Sequence, residues 1–230
     1  MMVLACDTST AVMHLALCRY DGETLVWHEA LSLASGNRHS ELLMDKILTL
    51  CADADIELKE LDLLATSAGP GSFTGLRISM AMLKGISLAA SIPLVSVPTL
   101  DAWYYGLEQV EQPVLAVIDA KKQRFYAALY RRGERLIGPA DLTVEAIEAL
   151  IAAHPGLLLT GADAPLLLTR LSTPLPFLQC EGAPLALSLA RMAVNQYLSQ
   201  GADAPDAGPF YIRVSDAELA LLSNNRLKEQ

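Results

Sequence analysis

The sequence predicts an α/β protein built from two units of the same order, βββαβαβα. Three observations carry this. The apolar run VLACD ending at Asp7 has a counterpart in VLAVID ending at Asp119, and LLATSAG ending at Gly69 has one in LLLTG ending at Gly161. Two strand-like segments follow each first run, joined at Asp21-Gly22 in one half and Arg132-Gly133 in the other. Beyond them, strand and helix periods alternate, which requires an at least partly parallel sheet.

Residues 2–7 form a first strand, and a Thr-Ser-Thr turn leads to strands at 12–20 and 24–33. A helix follows over 39–53, a buried strand over 61–67, a helix over 72–90, a strand over 94–97 and a helix over 99–109. The second unit repeats the order: a strand at 114–119, a hairpin of 124–131 with 134–137, a helix at 143–153 and a strand at 157–160. A short helix at 165–171, a strand at 177–179 and a helix at 184–200 complete it. The units are expected at 1–112 and 113–215, with a polar tail over 216–230 that frays.

Composition excludes several classes. The 230 residues hold 17 basic and 26 acidic side chains, a formal charge of -9, so an autonomous nucleic-acid binder with a basic surface is not expected. The imbalance lies in residues 1–112, with 6 basic and 14 acidic; residues 113–140 carry six basic and two acidic. Charged residues are 19% and hydrophobic ones 52%, apolar for a soluble chain. The best membrane candidate, 86–100, is shorter than a span and carries Pro93 and Pro98. The start, MMVLACDTST, lacks the basic segment of a signal peptide, so a cytoplasmic location is expected. The excess hydrophobicity points to an interface with a partner. Cys6, Cys18, Cys51 and Cys180 have no metal or disulfide spacing and read as core.

A carboxylate ending the first strand of each half points to the actin-like ATPase fold (ASKHA, ribonuclease H-like). There, paired aspartates and glycine turns surround a nucleotide and its Mg²⁺. Neither Asp7 nor Asp119 is followed by a glycine turn. GPGSFTGLR, 69–77, reads either as a phosphate loop opening onto a helix or as a tight turn with Ser72 as N-cap; it lacks GxxxxGK[ST] spacing. His14, His28, His39 and His154 are far apart, and no GxSxG run occurs.

The helices are unusually apolar. Leu43, Met44, Ile47, Leu48, Leu50 and Cys51 cover a sector of about 160° at 100° per residue, wider than an ordinary one-sided helix. From 73 to 90 only Arg77 and Lys84 are charged. Such helices are buried on two sides, against the sheet and against each other or a partner. Leu42 stands on the otherwise polar side with Asp45, Lys46 and Thr49.

DTST at 7–10, RHSELL at 38–43, GPGSFTGLR, IPLVSVPTLDA at 92–102, VIDAKKQRFYAALY at 117–130 and PFYIR at 209–213 together resemble the bacterial TsaB (YeaZ) family, in order along nearly the whole chain. The resemblance implies an actin-like fold and a non-catalytic paralogue of TsaD. It further implies a dimerisation or scaffold subunit of the complex that forms N6-threonylcarbamoyladenosine next to the anticodon of tRNA. TsaD would perform the transfer in a heterodimer with this chain, the ATPase TsaE would be a third partner, and tRNA would be met through the complex. The isolated chain could pair with itself. No cofactor is expected on the chain alone, with ATP or ADP only in the assembled complex. Where TsaD carries its metal-binding HxxxH, this sequence has Thr99 and Trp103.

The apolar helices and the resemblance together place the TsaD interface on Leu42, Leu43, Lys46, Ile47 and Leu50 of one helix and Phe73, Leu76, Arg77, Met80 and Leu83 of the next. Asp7, Thr8, Ser9 and Asp119 form a vestigial nucleotide cleft, and Lys121, Lys122 and Arg124 are candidate tRNA contacts. The alternative is an actin-like small-molecule kinase, ATPase or peptidase acting on its own.

Overall fold

The computed structural model describes residues 1–36, 38–178 and 185–213. Two sheets repeat one topology. In the first, β1 (Met2–Asp7) is flanked by β2 (Val12–Asp21) and β4 (Leu63–Gly69), with β3 (Thr24–Ala34) and β5 (Leu94–Pro98) at the edges. In the second, β6 (Val114–Asp119) lies between β7 (Arg124–Arg131) and β9 (Leu158–Thr160), with β8 (Glu134–Thr143) at one edge. A parallel bridge from Leu159 to Phe177 stands where β5 stands in the first sheet. β1 and β6 pair antiparallel with the following strand and parallel with β4 and β9, so the carboxylates at their ends are topological equivalents.

Helices cover both faces of each sheet. α1 (His39–Asp53) and α2 (Phe73–Ala90) lie side by side on one face of the first, where Leu43, Ile47 and Leu83 meet Leu4, Leu15 and Leu17. α4 (Val144–Ala153) and α5 (Ala164–Leu168) cover one face of the second. The other faces are served by α3 (Thr99–Tyr104), packed on β6, and α6 (Leu185–Gln200), packed on β1, β2, β4 and β5. α6 thus follows the second unit in sequence but lies on the first sheet. Ala186, Ala190 and Ala193 allow close approach to Ala5, Ala16 and Ala65.

Local chemistry fixes the ends. Ser72 caps α2 by accepting the Gly75 N–H (3.2 Å), and Thr143 caps α4 by accepting that of Ala146 (3.2 Å). β1 and β6 are buried on both faces, which is why they read as unbroken apolar runs. Most bounds agree with the sequence reading to within two residues, the strand expected at 61–67 being β4 (Leu63–Gly69), and three ends differ by more. α3 ends at Tyr104, because Tyr105 is extended and Gly106 takes a φ of 86°. β8 continues past 137 to Thr143, the ladder resuming beyond Gly138-Pro139 with Ala127 opposite Ala140. α5 ends at Leu168 rather than 171.

Cys6, Cys18 and Cys51 are free and buried, and burial pushes the Cys18 thiol up to about 12. Cys180, Gln179 of the expected strand, Pro184 of the expected last helix and the 216–230 tail lie outside the described residues. Among the described residues, no helix is long and apolar enough to cross a membrane.

Candidate functional site

A cleft of about 700 Å³ lies between the two halves. Its walls are the turn after β1 (Ser9, Thr10), the starts of α1 and α2, the turn after β6 (Asp119 to Lys122), and Asp163, Tyr211 and Arg213.

The first turn is closed from within the protein. Asp7 is fully buried; its Oδ1 accepts the Ser67 hydroxyl and the Ser9 N–H (3.2 Å). Thr8 Oγ1 donates to the Gly75 carbonyl (2.7 Å), and the Ser72 N–H donates to the Ser9 carbonyl (2.7 Å). The first turn of α2 therefore lies directly on Thr8 and Ser9. Only glycine fits at 75, where a Cβ would overlap the Thr8 carbonyl oxygen. Asp7 Oδ2, Ser9 Oγ and His39 Nε2 are buried without a hydrogen-bond partner.

The second turn is open but tied to itself. Asp119 accepts the Lys121 N–H (2.9 Å) and the Lys121 ammonium (2.7 Å), and its own N–H donates to Asp163 Oδ2 (2.8 Å). Burial raises the Asp163 carboxyl above its ordinary range, opposed by the hydrogen bond from the Asp119 N–H and aided by the Asp119 charge. Lys121, Lys122 and Gln123 are successive left-handed residues, with φ of 62°, 53° and 59°. Arg124 Nε donates to Asp141 Oδ1 (2.9 Å) and its Nη2 to the Asp141 carbonyl (2.7 Å).

The structure brings Ser9 and Asp119 to one cleft but withdraws Asp7 and Thr8 behind α2. Of the candidate tRNA contacts, Lys121 and Lys122 are exposed and Arg124 is half-buried; Lys121 pairs with Asp119 and Arg124 with Asp141. The helix positions divide as sharply. Leu43, Ile47, Leu50, Leu76, Met80 and Leu83 are buried in the chain's own core and cannot form an outer surface, because the apolar stripe of each helix faces the sheet. Leu42 is half-buried against the same core, Lys46 is half-buried, and Phe73 and Arg77 contact Tyr211.

The outer faces hold other residues: Glu41, Asp45, Leu48, Thr49 and Ala52 on α1, and Thr74, Arg77, Ala81, Gly85 and Leu88 on α2. Leu88 is 86% exposed and Leu48 45%. Thr99 is buried and accepts the Gly69 N–H (3.0 Å), while Trp103 meets His14 edge-on at 6.1 Å. Among the described residues, no group of three or more His, Cys, Asp or Glu could hold a metal ion.

Sequence reasoning missed Asp141 and Asp163, and gave PFYIR no role. Asp163 could have been found from the repeat, since it stands two residues after the LLLTG that matches LLATSAG. Asp141 sits in the part of β8 beyond Gly138-Pro139, and nothing local marks it.

Two repeated sheets, helices on both faces of each and a cleft at the ends of the equivalent strands β1 and β6 define the actin-like class of α/β protein. Comparison with known proteins narrows this. Residues 33–160 match the family model described as TsaD: tRNA N6-adenosine threonylcarbamoyltransferase. An uncharacterized protein of Mycobacterium leprae is 35% identical over 169 residues, covering 71% of this chain and 43% of that protein. The tRNA threonylcarbamoyladenosine biosynthesis protein TsaB of Escherichia coli is 32% identical over 145 residues, 62% of this chain and 61% of that protein. In both comparisons the match spans less than two thirds of the relative. A Pseudomonas aeruginosa crystal structure described as similar to peptidase YEAZ superposes with a TM-score of 0.73 and 26% identity, over 92% of this chain and 99% of that one. The chain belongs to the TsaB/YeaZ group, the paralogues of TsaD.

Proposed function

We propose that this chain is a non-catalytic accessory subunit of the machinery that forms N6-threonylcarbamoyladenosine next to the anticodon of tRNA. Its outer α1–α2 face receives a TsaD-type subunit in a four-helix contact, and TsaE and tRNA join through the assembled complex. The observation that carries the interface is Leu88, left 86% exposed on a helix face whose other members are Thr74, Arg77, Ala81 and Gly85. A partner helix can approach such a face closely, and burying Leu88 there removes apolar surface from water. The same face would pair two copies of the isolated chain.

The non-catalytic reading is supported at the first turn. α2 stands on Thr8 and Ser9, the Ser9 N–H is used by Asp7, and Asp7 lies behind both. Phosphate would find no free cradle there. Isothermal titration of the lone chain with ATP and Mg²⁺ should show no micromolar binding; hydrolysis that disappears in Asp7→Ala would overturn this part.

The interface is tested by size-exclusion chromatography with a TsaD subunit. Leu88→Asp and Ala81→Arg should weaken association at least tenfold with thermal unfolding unchanged, while Val26→Asp on the exposed edge strand β3 should not. Leu76→Glu should instead unfold the chain, because it puts a carboxylate at a fully buried position. Normal assembly by both Leu88→Asp and Ala81→Arg would place the interface elsewhere.

A further inference from the structure

We infer that residues 201–213, the segment ending in PFYIR, are a latch that fixes the opening between the two halves of the molecule. The segment leaves α6 at Gly201 and first closes the free edge of the first sheet. Asp203 N–H donates to the Leu94 carbonyl (2.9 Å), and Asp203 Oδ2 accepts both the N–H (2.7 Å) and the hydroxyl (2.5 Å) of Ser96. It then runs along α2, where the Lys84 ammonium donates to the carbonyls of Pro205 (2.9 Å) and Ala207. The Phe210 N–H donates to the Ala68 carbonyl (2.6 Å). Gly69 makes this approach feasible, since a Cβ there would overlap the Phe210 oxygen.

The next residues anchor the segment to α2. The Tyr211 ring lies 4.6 Å from that of Phe73, its hydroxyl accepts from Arg77 Nε (2.9 Å), and the Arg77 guanidinium sits 3.9 Å over Phe73. Two residues later the chain reaches the other half. Arg213 donates from Nε (3.0 Å) and Nη2 (2.6 Å) to Asp141 Oδ2, and from Nη1 to the Ala120 carbonyl (3.1 Å). Both side chains of this pair are largely buried, 25% and 18% exposed, so it is screened far less than a surface ion pair.

From Tyr211 to Arg213 the backbone spans at most about 7 Å. The cleft cannot widen much without breaking one anchor or the other. On α3 a second set of contacts acts as a pivot: Tyr130 donates to Asp101 (2.5 Å), Arg135 pairs with Asp101, Tyr104 stacks on Tyr130 at 4.3 Å, and the Gly133 N–H donates to the Tyr104 hydroxyl (2.9 Å). A fold whose repeated halves could hinge about one side is thus fastened at two places.

The test is the distance distribution between spin labels at Asp45→Cys on α1 and Ala152→Cys on α4, in the full chain carrying Cys180→Ser. The parent should give one narrow distribution. Arg213→Ala should at least double its width and add longer distances. Arg213→Lys keeps the charge without the two-pronged geometry, and should fall between; it supplies the reading if Arg213→Ala does not fold. Ser96→Ala loosens the same segment at its other end and should lower the unfolding temperature without broadening the distribution. A width unchanged in the Arg213 variants, or broadened equally by Ser96→Ala, would overturn the latch.

Discussion

The turns after β1 and β6 occupy the same place in two copies of one topology, yet they are built in opposite ways. After β1, the carboxylate of Asp7 is buried and its turn is covered by the start of α2. After β6, the carboxylate of Asp119 lines the cleft and holds a lysine of its own turn, and its N–H is held by Asp163, the residue that precedes α5. The difference originates in segments distant along the chain. GPGSFTGLR places Gly71, just before α2, against Ser9, and Gly75, in the first turn of α2, against the Thr8 carbonyl. In the second half the segment after β9 supplies Asp163, which accepts the Asp119 N–H instead. A strand ending in Asp does not by itself define a nucleotide site; what is laid over the turn decides whether phosphate could reach it.

Widening Gly75 should break this contrast most strongly. Gly75→Val would drive a side chain into the Thr8 carbonyl and cost about 3 kcal/mol or more. That corresponds to a fall in Tm of roughly 6–12 °C for a chain of this size. Calorimetry that finds no loss would mean α2 is not seated on the turn.

Removing each carboxylate compares the turns directly. Asp7→Ala leaves the buried Ser67 hydroxyl and Ser9 N–H without their acceptor, a loss of about 2–3 kcal/mol. Asp119→Ala loses a pair whose lysine is largely exposed, about 1 kcal/mol or less. Equal losses in denaturant unfolding would show that the turns are equally structural.

Acid and base should act on the halves with opposite sign. Burial lowers the affinity of His14 for a proton, against the opposing pull of the Asp7 charge. The unfolded chain therefore binds that proton more readily, and stability should fall as pH drops below about 6.5. His14→Gln should flatten this loss. For Asp163 the folded value is raised, so stability falls as pH rises from the ordinary carboxylate value through the folded one. Asp163→Asn retains an acceptor for the Asp119 N–H and should raise Tm at pH 7 by a few degrees. A pH profile unmoved by either substitution would remove these groups from the account.

The smallest effect concerns the left-handed run. Gln123 is exposed at a φ of 59°, a conformation that favours glycine. Gln123→Gly should stabilise the chain by about 0.5–1 kcal/mol. An unchanged or lowered midpoint in urea would show that the turn is not strained there.

Much of the frame was legible because it rests on local pattern. β1 and β6 read as unbroken apolar runs since both their faces are covered, and the matching Asp7 and Asp119 exposed the repeat. Ser72 announced the start of α2 by its chemistry as a cap. The proposed partner surface was harder to read. An apolar period at Leu43, Ile47, Leu76 and Leu83 says that these side chains are buried, and the nearest thing to bury them is the chain's own sheet. The outer face of α2 belongs to Thr74, Arg77, Ala81, Gly85 and Leu88, whose mixed character gives no apolar period. The basic hairpin misled for a similar reason: Arg124 looked available because Asp141, its partner, lies seventeen positions away.

By itself, the sequence determined the order of the elements, their duplication and the family, since strand and helix periods, caps and motif residues act over a few positions. Tertiary structure alone decided that α6 covers the first sheet, that α2 seals the turn after β1, and that 201–213 spans from α2 to Asp141. Those outcomes depend on which distant surfaces meet. Periodicity records that a residue has a neighbour, and the path of the whole chain determines which one it is.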